Sequence, residues 1–162
     1  MKIFTTSLDQ STKITTSAVL VLIAGIVGFS IYKIGQTDQQ ILLISIIPII
    51  IICLIAYAYR PNNYSVSDDK LLIHRLIGDV EIKRRDIQSV EMIDESKVRN
   101  SIRTFGSGGF FGSYGKFWNS TLGKMTWYVT RKDNFVLVIT TEEEKILLTP
   151  DEPEAFVAFI KS

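Results

Sequence analysis

ITTSAVLVLIAGIVGFSIY (residues 14–32) and ILLISIIPIIIICLIAYAY (residues 41–59) carry no charged side chain, and only Lys33-Ile34-Gly35-Gln36-Thr37-Asp38-Gln39-Gln40 stands between them. At about 1.5 Å per helical residue, ~19 residues reach across the ~30 Å hydrocarbon layer of a bilayer. In the second run each leucine and isoleucine favours insertion by roughly 0.3–0.6 kcal/mol, which outweighs one serine and one proline. Pro48 removes a backbone donor and predicts a kink, which lipid tolerates better than water does. The first run is diluted by Thr15, Thr16, Ser17, Gly25, Gly28 and Ser30. Its Ala24 and Gly28 form a small-xxx-small pair that lets a neighbouring helix approach closely, most simply the second run packed antiparallel. Tyr32, Tyr57 and Tyr59 fall where interfacial aromatics are expected, and Lys33 can snorkel.

The two runs therefore predict a transmembrane helical hairpin over residues 14–59, with helices at 14–34 and 41–59. A cleaved signal peptide fits less well, because no A-x-A-like site follows the first run and a second apolar segment comes almost at once. Two buried helices of a soluble protein also fit poorly, since helices apolar all round would overload the core of so short a chain.

Outward from the hairpin, residues 1–13 read as a polar leader and residues 60–63 as a short linker in which Pro61 ends the helix. Residues 64–162 are enough for one small domain with its own core. Lys2 and Lys13 precede the hairpin and Arg60, Lys70 and Arg75 follow it, whereas the connecting turn has Lys33 with Asp38 beside it. That bias places both termini in the cytoplasm, in a multi-pass protein. The formal net charge of +1 gives no global nucleic-acid signature. The single cysteine, Cys53, lies inside the second apolar run and supports neither a disulfide framework nor a thiol-rich metal site. Asn63-Tyr64-Ser65 and Asn119-Ser120-Thr121 match the glycosylation pattern but would matter only in a secretory lumen.

The soluble part reads as short strands between turn signals. Strand-like stretches fall at 64–67, 71–77, 80–83, 87–93, 125–131, 135–141 and 144–149, with turns at Ser67-Asp68-Asp69-Lys70, Gly78-Asp79 and Thr141-Glu142-Glu143. Phe135 to Thr141 is nearly all apolar and so reads as a central strand, and Asp133-Asn134 before it suits a tight hairpin. After Thr149-Pro150-Asp151-Glu152-Pro153 the period switches, and Phe156, Val157, Phe159 and Ile160 mark one face of a helix for which Asp151 or Thr149 is a candidate cap. The expected fold is an α+β domain of about seven antiparallel strands in a bent sheet or barrel, plugged by a C-terminal helix.

Behind a two-helix anchor, that arrangement resembles the bacterial pleckstrin-homology-like domain proteins. The run Arg103-Thr104-Phe105-Gly106-Ser107-Gly108-Gly109-Phe110-Phe111-Gly112-Ser113-Tyr114-Gly115 is similar to a glycine-aromatic signature of one membrane-anchored family in that group. The closing Thr149-Pro150-Asp151-Glu152-Pro153-Glu154-Ala155-Phe156 looks like the same family's last strand and helix. The resemblance covers residues 64–161 and implies a fold and a setting at a bacterial inner membrane, with no settled activity.

The glycine-rich run is the one stretch that asks for a functional reading. From Lys97 to Lys132 basic residues occur with no acidic residue among them, interleaved with aromatics. Arg103, Phe105, Gly106, Gly108, Gly109, Phe110, Phe111, Gly112, Tyr114 and Lys116 are the candidate contacts for a ligand, a partner protein or the membrane surface. Basic and aromatic residues beside a bilayer suit anionic headgroups, and glycines admit close backbone approach. The alternative is a hairpin loop whose aromatics pack on the sheet and whose glycines serve positive-φ turns.

Phosphate-binding loops are excluded: Phe111 stands where G-x-G-x-x-G needs glycine, and Gly115-Lys116 lacks the rest of a Walker A motif. Asp68 and Asp69 sit in the loop with which many eukaryotic relatives hold inositol phosphates, so that specificity is not implied. The lone His74 falls in a strand and reads as structural, and no acid/base, nucleophile, metal or cofactor set is visible. The expectation is a non-catalytic binding or scaffold module at the cytoplasmic face, partnered by the bilayer and either anionic headgroups or another membrane protein. The alternative is an accessory subunit of a membrane complex.

Overall fold

The computed structural model describes residues 1–32 and 39–162. The order of elements shows how the chain is built. A strand β1 (Lys2–Thr5) comes first, followed by the long helix α1 (Gln10–Tyr32) and the helix α2 (Gln39–Ala58). Strands β2 (Pro61–Val66), β3 (Lys70–Arg75) and β4 (Val80–Lys83) come next, then a 3-10 turn at Arg84–Asp86 and β5 (Ile87–Met92). After the short helix α3 (Glu95–Val98) come β6 (Ile102–Gly108), β7 (Ser113–Asn119), β8 (Gly123–Val129), β9 (Val136–Thr140) and β10 (Lys145–Leu148), and the chain closes on α4 (Pro153–Lys161). The strands form two sheets, β1-β2-β3-β4 and β5-β9-β10-β8-β7-β6.

The main core lies between the sheets. Phe4, Tyr64, Leu71 and Ile73 from the first meet Val136, Val138, Ile146 and Leu148 from the second, and Phe156 and Ile160 of α4 plug the open end. The alternate residues Leu137 and Leu147 point to the other face, where they join Phe117, Met125, Trp127 and Phe135 under α3. A strand buried on both faces cannot show polar alternation, and the apolar run of β9 sits between β5 and β10 as that pattern requires.

Several expectations are corrected. Ten strands replace the seven read from sequence among the described residues, the additions being β1, β6 and β7. The leader is not simply polar preamble: β1 pairs antiparallel with β2, Lys2 opposite Val66 and Thr5 opposite Asn63, and Phe4 enters the core. Four residues are too few to show a period, and their partner strand lies beyond both helices. Nor is the sheet wholly antiparallel, since β10 inserts between β8 and β9 and runs parallel to β8. Asp133-Asn134 therefore turns the chain, with Asn134 at φ 55°, but does not join paired strands. At α4 the N-cap is Glu152 without a side-chain bond, because Asp151 is engaged elsewhere.

α1 is long and apolar enough to cross a membrane, and only 6 % of its most apolar stretch is buried inside the protein, so it is no core helix. The described apolar part of α2, Ile46–Ala58, is shorter, with Pro48 inside the helix. The predicted connecting turn, Lys33 included, lies outside the described residues over 33–38. Among the described residues, no atom comes within 4 Å of a Cβ built at Gly28.

Candidate functional site

The glycine-aromatic run is the β6–β7 hairpin, at the edge of the larger sheet. Gly106 and Gly115 face each other across the pair. A Cβ on Gly106 would stand 2.1 Å from the Tyr114 carbonyl oxygen, and one on Gly115 2.3 Å from that of Phe105, so only glycine lets the two backbones pass. That crossing separates a tip from a stem.

The tip is a joint. Gly109 N–H closes it on the Gly112 carbonyl at 2.9 Å, and Ser107 Oγ donates to the Phe110 carbonyl at 2.8 Å. Phe111, held at φ 58°, donates its N–H to Thr16 Oγ1 of α1 at 3.0 Å and sets its ring edge-on to Tyr57 of α2, centroids 5.3 Å apart. Tyr114, on the same side, donates its hydroxyl to the Ala56 carbonyl of α2. Burial holds the Tyr114 phenol above its ordinary pKa, so it remains a donor. Gly109, Phe110, Phe111, Gly112 and Tyr114 thus serve the root of the helices, as the loop reading allows.

The stem is free. Ile102, Arg103, Thr104 and Phe105 are exposed, Phe105 by 77 %, on a strand whose outer edge has no partner among the described residues. Gly108 lies across the crossing on the tip side, where the Arg103 side chain reaches back against it. Lys116 donates to Thr126 Oγ1 at 2.8 Å and, with Trp118 and Lys124, lines one wall of a groove whose other wall is Glu142, Glu143 and Glu144. Arg103, Phe105 and Lys116 are therefore the predicted contacts that face outward. The sequence shows the turn at Glu142-Glu143-Glu144 but not that it faces Lys116, because nothing in a Glu-Glu-Glu run tells which strand it will lie against.

A second joint ties the N-terminal segment down. Asp151 accepts from Thr5 Oγ1 at 2.8 Å, Ser7 N–H at 3.0 Å, Ser7 Oγ at 2.6 Å and Arg131 Nη1 at 2.7 Å. Burial works to raise its carboxyl, but the hydrogen bonds from Ser7, Thr5 and Arg131 prevail and hold it down to about 2. Asp9 caps α1 through Thr12 N–H at 2.7 Å while its other oxygen accepts Lys132 N–H at 3.1 Å. The helix therefore starts from a fixed point on the domain.

One further constellation has the outline of a hydrolase. His74 Nε2 lies 2.7 Å from Ser65 Oγ, and His74 Nδ1 lies 2.7 Å from Asp79 Oδ2. Ser65 is only 1 % exposed, so no acyl group can reach its oxygen, and the set works as a lashing between β2, β3 and the turn after β3. Among the described residues no group of His, Cys, Asp and Glu is placed to hold a metal ion.

A family model described as bacterial PH domain matches residues 62–162. No curated protein and no solved structure matches the chain.

Proposed function

This chain belongs to the bacterial PH domain family, and from that premise we propose that it is a membrane-anchored, non-catalytic binding module. PH domains generally bind rather than catalyse, and the one triad-like set in this chain is sealed from substrate. In this reading α1 and α2 cross the inner membrane as a hairpin and display the domain, with both termini, at the cytoplasmic face.

The observation that carries this reading is the pairing of β1 with β2. The helices are inserted between two adjacent strands of one sheet, so both roots lie on the same side of any bilayer. This pairing supports a hairpin over a single crossing, since an α1 that spans needs α2 to bring the chain back to β1. The outward apolar side chains of both helices, among them Leu22, Ile26, Ile52 and Leu54, are what lipid would cover. The test is protease protection in sealed, inverted vesicles, with epitopes at both termini and one inserted after Gln36. The reading predicts both terminal epitopes cut and the middle one protected. Termini on opposite sides would overturn it.

The stem favours a second reading, an accessory subunit of a membrane complex. An unpaired edge strand bearing Ile102 and Phe105 is a surface that folded proteins normally protect. A photocrosslinking residue at Phe105 in the intact protein separates the two readings. A discrete protein adduct favours the subunit, whereas exclusive lipid adducts favour headgroup contact through Arg103 and Lys116.

A further inference from the structure

We propose that the turn joining β3 to β4 is a lipid-inserting wedge, with Leu76 and Ile77 dipping into the bilayer interface beside the root of α2. The inference rests on the membrane reading above and adds a third contact to the two helices.

The turn's polar groups are tied to one another and to the end of α2, while its aliphatic pair is left uncovered. Ile77 N–H donates to the Ala58 carbonyl, the last residue of α2, at 3.2 Å. Arg75 N–H donates to Asp79 Oδ1 at 3.1 Å, Arg75 Nε to the Gly78 carbonyl at 2.6 Å, and His74 Nδ1 meets Asp79 Oδ2. The Arg75 guanidinium lies over the Tyr59 ring, 5.3 Å from its centroid, which ties the turn to the chain leaving α2. Asp79 stays at the surface within those bonds, and beside it Leu76 is 64 % exposed and Ile77 55 %. A turn facing water has no use for two adjacent aliphatic side chains at a fixed orientation. This one is bonded to the end of α2, whose last turns also expose Leu54, Ile55 and Tyr57.

The length of α1 points the same way. Thr12 and Thr16 are buried against the domain, and Thr16 receives the Phe111 N–H. The uncharged stretch beyond them, residues 17–32, covers about 24 Å at 1.5 Å per residue, short of the ~30 Å hydrocarbon layer. In this reading the base of the domain is drawn down to the interface, where Ile77, bonded to Ala58 of α2, and Phe111, bonded to Thr16 of α1, both lie against the roots of the helices. The acidic turn at Ser67-Asp68-Asp69, at the opposite end of β3, is about 20 Å away along the strand, which separates it from the wedge.

The test uses the full chain with Cys53→Ser, carrying one environment-sensitive fluorophore on Ile77→Cys, Ile50→Cys or Asp69→Cys, reconstituted in phosphatidylcholine/phosphatidylglycerol vesicles. Nitroxide lipids quench at either shallow or deep positions. The wedge predicts a blue-shifted emission at position 77 that shallow nitroxides quench more than deep ones, deep quenching at 50 and none at 69. Quenching at 50 with an Ile77→Cys signal like that of Asp69→Cys would overturn the wedge and leave the membrane reading standing. A blue shift at 77 without lipid quenching would overturn it in favour of a protein contact. No quenching at 50 would remove the membrane reading and the wedge with it.

Discussion

The tip and the stem of the β6–β7 hairpin share one vocabulary of glycine, aromatic and small polar residues, yet they do opposite things. At the tip, Phe111 and Tyr114 hand their polar groups to α1 and α2, and the backbone folds tightly enough to bury Gly109 and Gly112. Across the Gly106–Gly115 crossing the same strands turn Phe105, Arg103 and Lys116 to the outside. The comparison teaches that a glycine-aromatic composition marks where backbone must come close. It does not say whether the approaching group belongs to the same chain.

The largest effect should come from the crossing itself. Gly106→Val forces a branched side chain into the Tyr114 carbonyl at a positive φ, and a loss of about 3–5 kcal/mol is expected from strain and overpacking together. Thermal unfolding in mild detergent measures it, and a melting point like that of the parent would mean that tip and stem are not separated as described. Next comes the second joint. Asp151→Ala removes the acceptor of four hydrogen bonds, one of them from Arg131, and about 2–3 kcal/mol should go with it. The same carboxylate gives a pH dependence. Its folded value, about 2, lies below the ordinary 3.8, so its contribution is complete above about pH 4 and is lost as pH falls towards 2. In the Asp151→Asn variant that acid-side loss should shrink.

A smaller effect isolates the tip. Thr16→Val keeps the shape of the side chain but leaves the Phe111 N–H without its acceptor, for a loss of about 1–2 kcal/mol, and Thr16→Ser should restore most of it. Hydrogen exchange at residues 109–112 reports this locally. The smallest effect belongs to the stem. Phe105→Ser should change stability by no more than about 0.5 kcal/mol, since the ring packs on little, yet it should abolish a protein crosslink formed near that position. A strongly destabilised Phe105→Ser would make the stem structural and erase the contrast.

Much of the domain was legible because its strands carry their own signals. β4 alternates, β9 is apolar throughout, and Phe156 and Ile160 announce the packed face of α4. What was not legible depends on distant partners. β1 has meaning only once residues 63–66 return beside it, and β6 and β7 were masked by glycines that strands ordinarily avoid. Asp151 stands where a helix cap is expected, and no local pattern tells that Ser7 and Thr5 will claim it first. At the site, sequence composition gathered the residues of both tip and stem, and only burial divides them. Leu76 and Ile77 read as the end of a strand, because a strand pattern does not show that β3 stops at Arg75 and leaves the aliphatic pair in an exposed turn.

The account stands on the helices being an insertion between two paired strands, and hydrogen exchange of the full chain in a lipid nanodisc measures that directly. The amides of β1 that face β2 are predicted to exchange as slowly as those of residues 63–66, with both sets released together when Asp151 is replaced by Ala. Free exchange at those β1 amides alongside protected residues 63–66 would contradict it.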